Sequence, residues 1–566
     1  MRASAGAREL RVEAELPAGV PEELGLDAFA HPFLSDLEVQ TEHGWRAVAR
    51  TGRRWVVPSC RETGCRLRYV YRLAEAARRI DRFAYAGYRA GALMAPPSTF
   101  LLAPQDYEGS DVYRFGVELP AGESFVTGVW REAASVQRPP ERGDGHAAAL
   151  QREPHTPRAS PPGRGLRART SSRSEQASAA FAALGVSTSE RADAPARARA
   201  GAAPELFAAP ASVLFQAPYS AFGVFERERI ALRDGSIQLA IAPADPATPP
   251  AADGGAPGAR ALAGPRRPRL GVSRAGLRAA VESAAATVSS YYGRFPVSEV
   301  TVIVLPSPGG DIFGMQLGNG GASIVLFIGD EIDDEHLARD WVMTHELLHL
   351  GFPTLGRRHL WLAEGLATYQ GPVARARAGL LDERQLWSSL LDGMPKGLPN
   401  PTDGGLDGSM RWGRTYWGGA LFCLLLDVEI RARTDNRLSL DTAARAILTA
   451  GGDTSTRWSL EQTLATGDAA LDRPSLEELY DEHSASPVNV DLDALFGRLG
   501  VRRDGDRVEL DDTAELAHVR RAIGQGDRAQ GKGEPSTLEP STLEPGRAKG
   551  DAAHGAHAGL SPPGVP

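Results

Sequence analysis

Two histidines four residues apart, with a glutamate directly after the first, constrain this chain more than any other feature. The run THELLHLGFPTLGRRHLWLAEGLATYQ, residues 344–370, holds His345, Glu346 and His349 in an HExxH arrangement. At i and i+4 on a helix the two imidazoles lie one above the other and can face a single ion. Glu346 is turned about 100° around the axis, beside the open coordination position. Leu347, Leu348 and Leu350 give this helix an apolar face to bury against a core. Its predicted extent is 333–350, ended by Gly351 and Pro353.

Two imidazoles hold an ion weakly, and a catalytic zinc usually takes three protein ligands and a water. The next predicted helix, 359–370, offers Glu364 within WLAEGLATY, where Trp361, Leu362, Leu366 and Tyr369 can pack it. The intervening loop reverses the chain, as an antiparallel helix pair requires. The predicted site is one Zn2+ held by His345, His349 and Glu364. Two neutral imidazoles and one carboxylate leave a divalent ion net positive and able to acidify water, with Glu346 placed to move the proton. Farther along, in WGRTYWGGALFCLLLD at 412–427, Tyr416 begins a strongly apolar helix. Gly418 and Gly419 there permit close approach of another backbone. A phenol opposite the ion would donate to a carbonyl oxygen as it gains charge.

The chain has 566 residues, too many for one core, so about three to four units are expected. Against 63 Lys plus Arg stand 71 Asp plus Glu, a net charge of −8 that gives no general attraction to nucleic acid or anionic lipid. No run approaches the roughly 20 apolar residues of a membrane span, so no transmembrane anchoring is expected. The first residues lack the apolar core of a signal peptide, which points to the cytoplasm unless such a segment precedes them. Cys60 and Cys65 leave open a clip between two strand-like runs or two free thiols, and Cys423 reads as a small buried hydrophobe.

Short apolar or alternating runs, such as CRLRYVYRL at 65–73 and DVYRFGVELP at 111–120, predict a β-rich N-terminal domain over 1–137. Residues 138–204, rich in Ala, Arg, Pro, Ser and Gly, read as a low-complexity insertion or linker in which short helical pieces near 175–184 are allowed. Strands return within 205–268, at 212–218 and 236–243, before another linker. The catalytic domain is expected over 269–375, with a helix at 273–292 and strands at 299–306 and 322–328. A helical lobe over 376–524 and a disordered tail over 525–566 complete the reading.

On APYSAFGVFE at 217–226, YYGRFPVSEVTVIVLP at 291–306, FGMQLGNGG at 313–321, HELLH, LWLAEGLATY and the Tyr416 of YWGG, the chain resembles the gluzincin metallopeptidases. The likeness is above all to the glycyl aminopeptidase family, more distantly to the aminopeptidase N family, and spans about 217–523. It implies a multidomain protein: an N-terminal β-rich domain, a thermolysin-like α+β catalytic domain and a mainly α-helical C-terminal lobe. It implies a zinc peptidase acting on a peptide or protein, with aminopeptidase action among the family's activities. Glu346 would be base and acid, Tyr416 the oxyanion donor, and His345, His349 and Glu364 the zinc ligands. The strand 322–328 would border the cleft, with Gly318, Asn319, Gly320, Gly321, Ala322 and Ser323 close to substrate.

Gln316 stands where aminopeptidase N relatives carry an acid for the substrate amino group, and Thr368 where thermolysin-like proteins have an aspartate behind a metal-bound histidine. Asp311 and Asp330 are candidates for amine recognition or surface solvation. His359, with Arg357 and Arg358, reads either as a carboxylate-binding turn or as a solvent-facing basic loop. The competing functional reading is a catalytically silent peptide-binding or scaffold protein on the same fold. Retention of Glu346 and Tyr416 argues against it.

Overall fold

The computed structural model describes residues 9–132, 183–189, 205–242 and 268–526, apart from 28, 83–84, 105–106, 108–110, 121 and 401. The predicted tail beyond 526 and the predicted helical pieces at 175–182 lie outside the described residues. The chain divides into two compact units, Met1–Val224 and Phe225–Pro566.

The first unit is β-rich because its strands alternate apolar and polar residues, which places one side of each on a core. In Glu9–Leu16 the residues Leu10, Val12, Ala14 and Leu16 are buried, and in Cys65–Tyr71 so are Leu67, Tyr69 and Tyr71. These two strands pair antiparallel within a seven-stranded sheet. That sheet also takes in Ala183–Ser189, parallel to Val112–Glu118, so part of the predicted insertion is a strand. Cys60 and Cys65 are disulfide-bonded, and the bond joins the short helix Pro58–Glu62 to the strand that follows rather than linking two strands.

The second unit carries a mixed five-stranded sheet. Its order is Glu226–Leu232, Gly235–Ile241, Glu299–Ser307, Ser323–Gly329, Ile312–Leu317. The middle three strands run parallel, and Ile312–Leu317 returns antiparallel as the outer strand. Continuous apolar runs such as VTVIVLP suit strands covered on both faces, and Val300–Leu305 are indeed buried. Helix Arg274–Tyr292 begins at Ser273, whose Oγ accepts from the Gly276 N–H at 2.9 Å, and buries Leu277, Val281, Ala284 and Val288 as their spacing predicts.

The single helix predicted over 333–350 is two. Asp334–Arg339 stops at Asp340, which is extended, and the Asp340 carboxylate then accepts the Val342 N–H at 2.7 Å to start Val342–Leu348. A 3-10 turn, His349–Gly351, continues it. The second ligand helix is longer than predicted, Leu360–Arg377, and runs through Pro372. Helices Gly419–Thr434, Leu440–Thr449 and Ala517–Gln525 belong to the mainly helical C-terminal lobe. Between the helices Leu492–Leu499 and Ala517–Gln525, VRRDGDRVEL forms a hairpin, Val501–Asp504 against Arg507–Leu510, turning at Gly505 with φ 56°.

A buried ionic network fixes the helices that carry the site. Arg431 Nε donates to Asp427 at 2.9 Å, Arg377 to Asp441 at 2.6 Å, and the Tyr369 hydroxyl to Asp427 at 2.7 Å. Tyr291 adds a hydroxyl to Asp441 at 2.5 Å. Two aspartates face two arginines, so the interior charge balances, while each aspartate links several helices. Removing one partner leaves a buried charge uncompensated. Asp427→Ala is expected to lower unfolding stability by about 3–5 kcal/mol, read as the shift in urea midpoint; a change below about 1 kcal/mol would contradict the linking role.

Candidate metal centre

His345, Glu346 and His349 ride on the short helix Val342–Leu348 and the 3-10 turn after it, and Glu364 projects from the second turn of Leu360–Arg377. The two Nε2 atoms are 3.2 Å apart, and the Glu364 Oε2 lies 3.5 Å from that of His345 and 3.4 Å from that of His349. Ligands about 2.0–2.1 Å from a tetrahedral ion lie about 3.3 Å from one another. The observed triangle fits that spacing. Glu364 Oε2 is buried without a hydrogen-bond donor. Nitrogen, nitrogen and carboxylate donors turned toward one point are the donor set of a divalent transition metal.

The electrostatics follow from burial. Burial pushes the Glu346 carboxyl up to about 8, against the pull of His349 and with the push of Glu364. At Glu364 the burial penalty is outweighed by His349 and His345, which hold the carboxyl well below the usual range. Burial lowers His345, whereas at His349 the Glu364 and Glu346 carboxylates overcome it and raise the imidazole. The Tyr416 phenol is pushed far up, by burial first and then by the Glu364 and Glu346 charges, so it is a protonated donor throughout the physiological range.

Glycines set the spacing of these elements. A Cβ at Gly365 would sit 2.3 Å from the Gly419 backbone, and one at Gly419 would sit 2.2 Å from the Trp361 carbonyl. Bare backbones therefore let the Glu364 helix meet the Tyr416 segment. Tyr416 lies in a π-helical turn, Arg414–Gly418, ahead of the α-helix Gly419–Thr434, rather than opening a regular helix. Its ring stacks on His345 at 6.2 Å, within reach of the Glu364 and Glu346 charges. Gly351 leaves room for the Tyr292 ring, whose hydroxyl donates to the Leu348 carbonyl at 3.2 Å and so anchors the end of the histidine helix.

The strand predicted to border the cleft is corrected: Ser323–Gly329 is flanked by strands on both sides, and the outer strand is Ile312–Leu317. Gly318, Asn319, Gly320, Gly321, Ala322 and Ser323 are buried. The Asn319 and Gly320 N–H groups donate to the Thr454 and Ser455 carbonyls at 2.8 Å, so this turn is packed under another loop rather than open to a substrate. The residue that does face the site is Gly314, where a Cβ would lie 2.5 Å from Glu346 Cγ. A glycine inside a strand pattern was the available signal.

Asp311 and Asp330 serve the neighbouring turn, Asp330 accepting the Gly309 N–H at 2.9 Å, away from the triangle. His359 does not face a substrate: its Nδ1 is 3.0 Å from Asp407, which also takes the Trp361 Nε1–H at 2.8 Å, the Tyr480 hydroxyl at 2.6 Å and Arg358 at 3.0 Å. Asp407, unremarked in sequence, ties down the turn leading into the Glu364 helix. Thr368 does not replace the orienting aspartate, since its hydroxyl and His345 Nδ1 are both buried without hydrogen-bond partners.

Among solved structures, an aminopeptidase N family protein from Idiomarina loihiensis matches with a TM-score of 0.55 at 14% identity, covering 88% of this chain and 76% of that one. The chain has an aminopeptidase N-like fold. An M1 zinc metallopeptidase from Deinococcus radiodurans gives a TM-score of 0.44 at 14% identity, covering 86% and 92%, too loose a match to add to the assignment. No protein-family model matches the sequence, and no curated protein matches it. At such identity the likeness concerns the fold, and the chemistry rests on this chain's own residues. Among the described residues no helix is long and apolar enough to cross a membrane.

Proposed function

We propose that the chain is a zinc-dependent peptidase, with His345, His349 and Glu364 as the ligands of one catalytic Zn2+. The observation that carries this reading is the placement of a carboxylate and a phenol at one His–His–Glu triangle: Glu346 follows His345 on the same buried helix, and the Tyr416 ring stacks on His345. Zinc, when bound, supplies a Lewis-acidic charge that acidifies water and polarises a carbonyl. Glu346 takes a proton at its carboxylate as water oxygen bonds the carbonyl carbon. It returns that proton to the amide nitrogen as the C–N bond breaks. The Tyr416 hydroxyl donates to the carbonyl oxygen as it gains negative charge. The substrate main chain passes the outer strand at Gly314, where the missing side chain brings the strand against Glu346.

Recognition of a free amino end has no acid at the position the family resemblance assigns to it. Gln316 stands there, and its amide oxygen accepts from Thr454 Oγ1 at 2.7 Å and from the Gly318 and Leu317 N–H groups at 3.2 Å. Zinc-loaded protein incubated with a peptide mixture, half with blocked amino ends, is expected to release internal fragments from both halves, read by mass. Removal of single residues from free ends alone would show aminopeptidase action instead. Binding without any product would support the silent peptide-binding protein.

A further inference from the structure

The chain has nine tryptophans, and only Trp341 and Trp412 are exposed, at 54% and 48%. These two are also the ones in ring contact with the metal centre. Trp341, at the start of the histidine helix, meets the His345 ring edge-on at 5.4 Å. Trp412 stacks on Tyr416 at 5.8 Å, and Tyr416 stacks on His345. The four rings form a chain, Trp341, His345, Tyr416, Trp412, with the site residues in the middle and a half-bare indole at each end. Met410, 53% exposed, lies two residues before Trp412. On the other flank, the outer strand touches Val342, the residue after Trp341, through Gly314.

Packing accounts for the rest of the tryptophans but not for these. An indole carries a large apolar area, and leaving two half in water beside one site forgoes burial that a smaller residue would not need. Apolar surface kept exposed and rimmed by polar catalytic groups is the usual form of a ligand site. We propose that Trp341 and Trp412 wall an apolar substrate site on the two flanks of the metal centre, which selects peptides with a large aromatic or aliphatic side chain beside the cleaved bond. This deepens the peptidase reading and rests on it.

The test uses the full chain loaded with zinc and a peptide series differing at one position, Phe, Leu, Ala or Asp, next to the cleaved bond. Wild type is expected to favour Phe over Ala in kcat/KM by about fiftyfold. Trp341→Ala or Trp412→Ala is expected to cut that ratio at least about tenfold, mainly through KM, with Trp→Phe restoring most of it. A merely structural role for the indoles would slow all peptides alike and leave the ratio unchanged, which overturns the proposal, as does a wild-type ratio within about threefold. The same peptides are titrated into zinc-loaded Glu346→Gln protein by tryptophan fluorescence. Tight binding of the Phe peptide without turnover in wild type would sink the peptidase reading and keep the apolar site. Equal binding of the Phe and Asp peptides removes the site whatever the turnover.

Discussion

Glu346→Gln is expected to lower peptide cleavage by about a thousandfold or more while zinc content stays at one ion per chain. General acid–base transfer contributes about 10²–10⁴ in rate, and a carboxamide of the same shape can neither take nor return the proton. Glu346 is adjacent to His345 but is not part of the ligand triangle, so the ion is retained. The substitution also has a signature in the metal-free protein. A carboxyl with its folded pKa near 8, raised from 4.5 by burial, weakens the fold as pH rises between those values. The neutral Gln variant lacks this loss, so metal-free Glu346→Gln should melt no lower than wild type at pH 8. Activity within about tenfold of wild type would remove Glu346 from the proton path.

Tyr416→Phe comes next in size, with kcat expected to fall by about 10²–10³ and KM nearly unchanged, because the hydroxyl strengthens its bond only as the oxygen gains charge. The aromatic ring remains stacked between Trp412 and His345, so the π-helical turn has no cause to rearrange. What disappears is one donor. Steady-state kinetics on a single cleaved peptide separate the outcomes: a raised KM with intact kcat would make Tyr416 a binding residue, contrary to its assignment as oxyanion donor.

The triangle was legible in sequence because its rule is local: i, i+4 on one helix and a glutamate on the next need only helical geometry and a reversing loop. The strand order was not. From one chain, 322–328 and 312–317 are both short apolar or glycine-rich runs, and only the antiparallel return of Ile312–Leu317 makes it the outer strand and buries Gly318–Ser323 under Thr454. The break at Asp340 is hidden in the sequence because apolar periodicity continues across it, and a capping carboxylate is visible only once its N–H partner is known. Asp407 is hidden for a different reason. A lone aspartate in a loop carries no period, and its meaning comes from four side chains brought from 358–361 and 480 by tertiary folding. The glycine pair Gly365 and Gly419 was half visible: Gly419 signalled a close approach, but not to which backbone.

Zinc stoichiometry after exhaustive dialysis tests the account most directly, measured by atomic absorption on wild type, His349→Ala and Glu364→Ala. Close to one ion per chain is expected in wild type and loss of nearly all of it in both variants, since two remaining ligands hold the ion weakly. Wild-type protein that retains no zinc, or either variant retaining the full complement, would contradict the convergence of His345, His349 and Glu364 on a single ion.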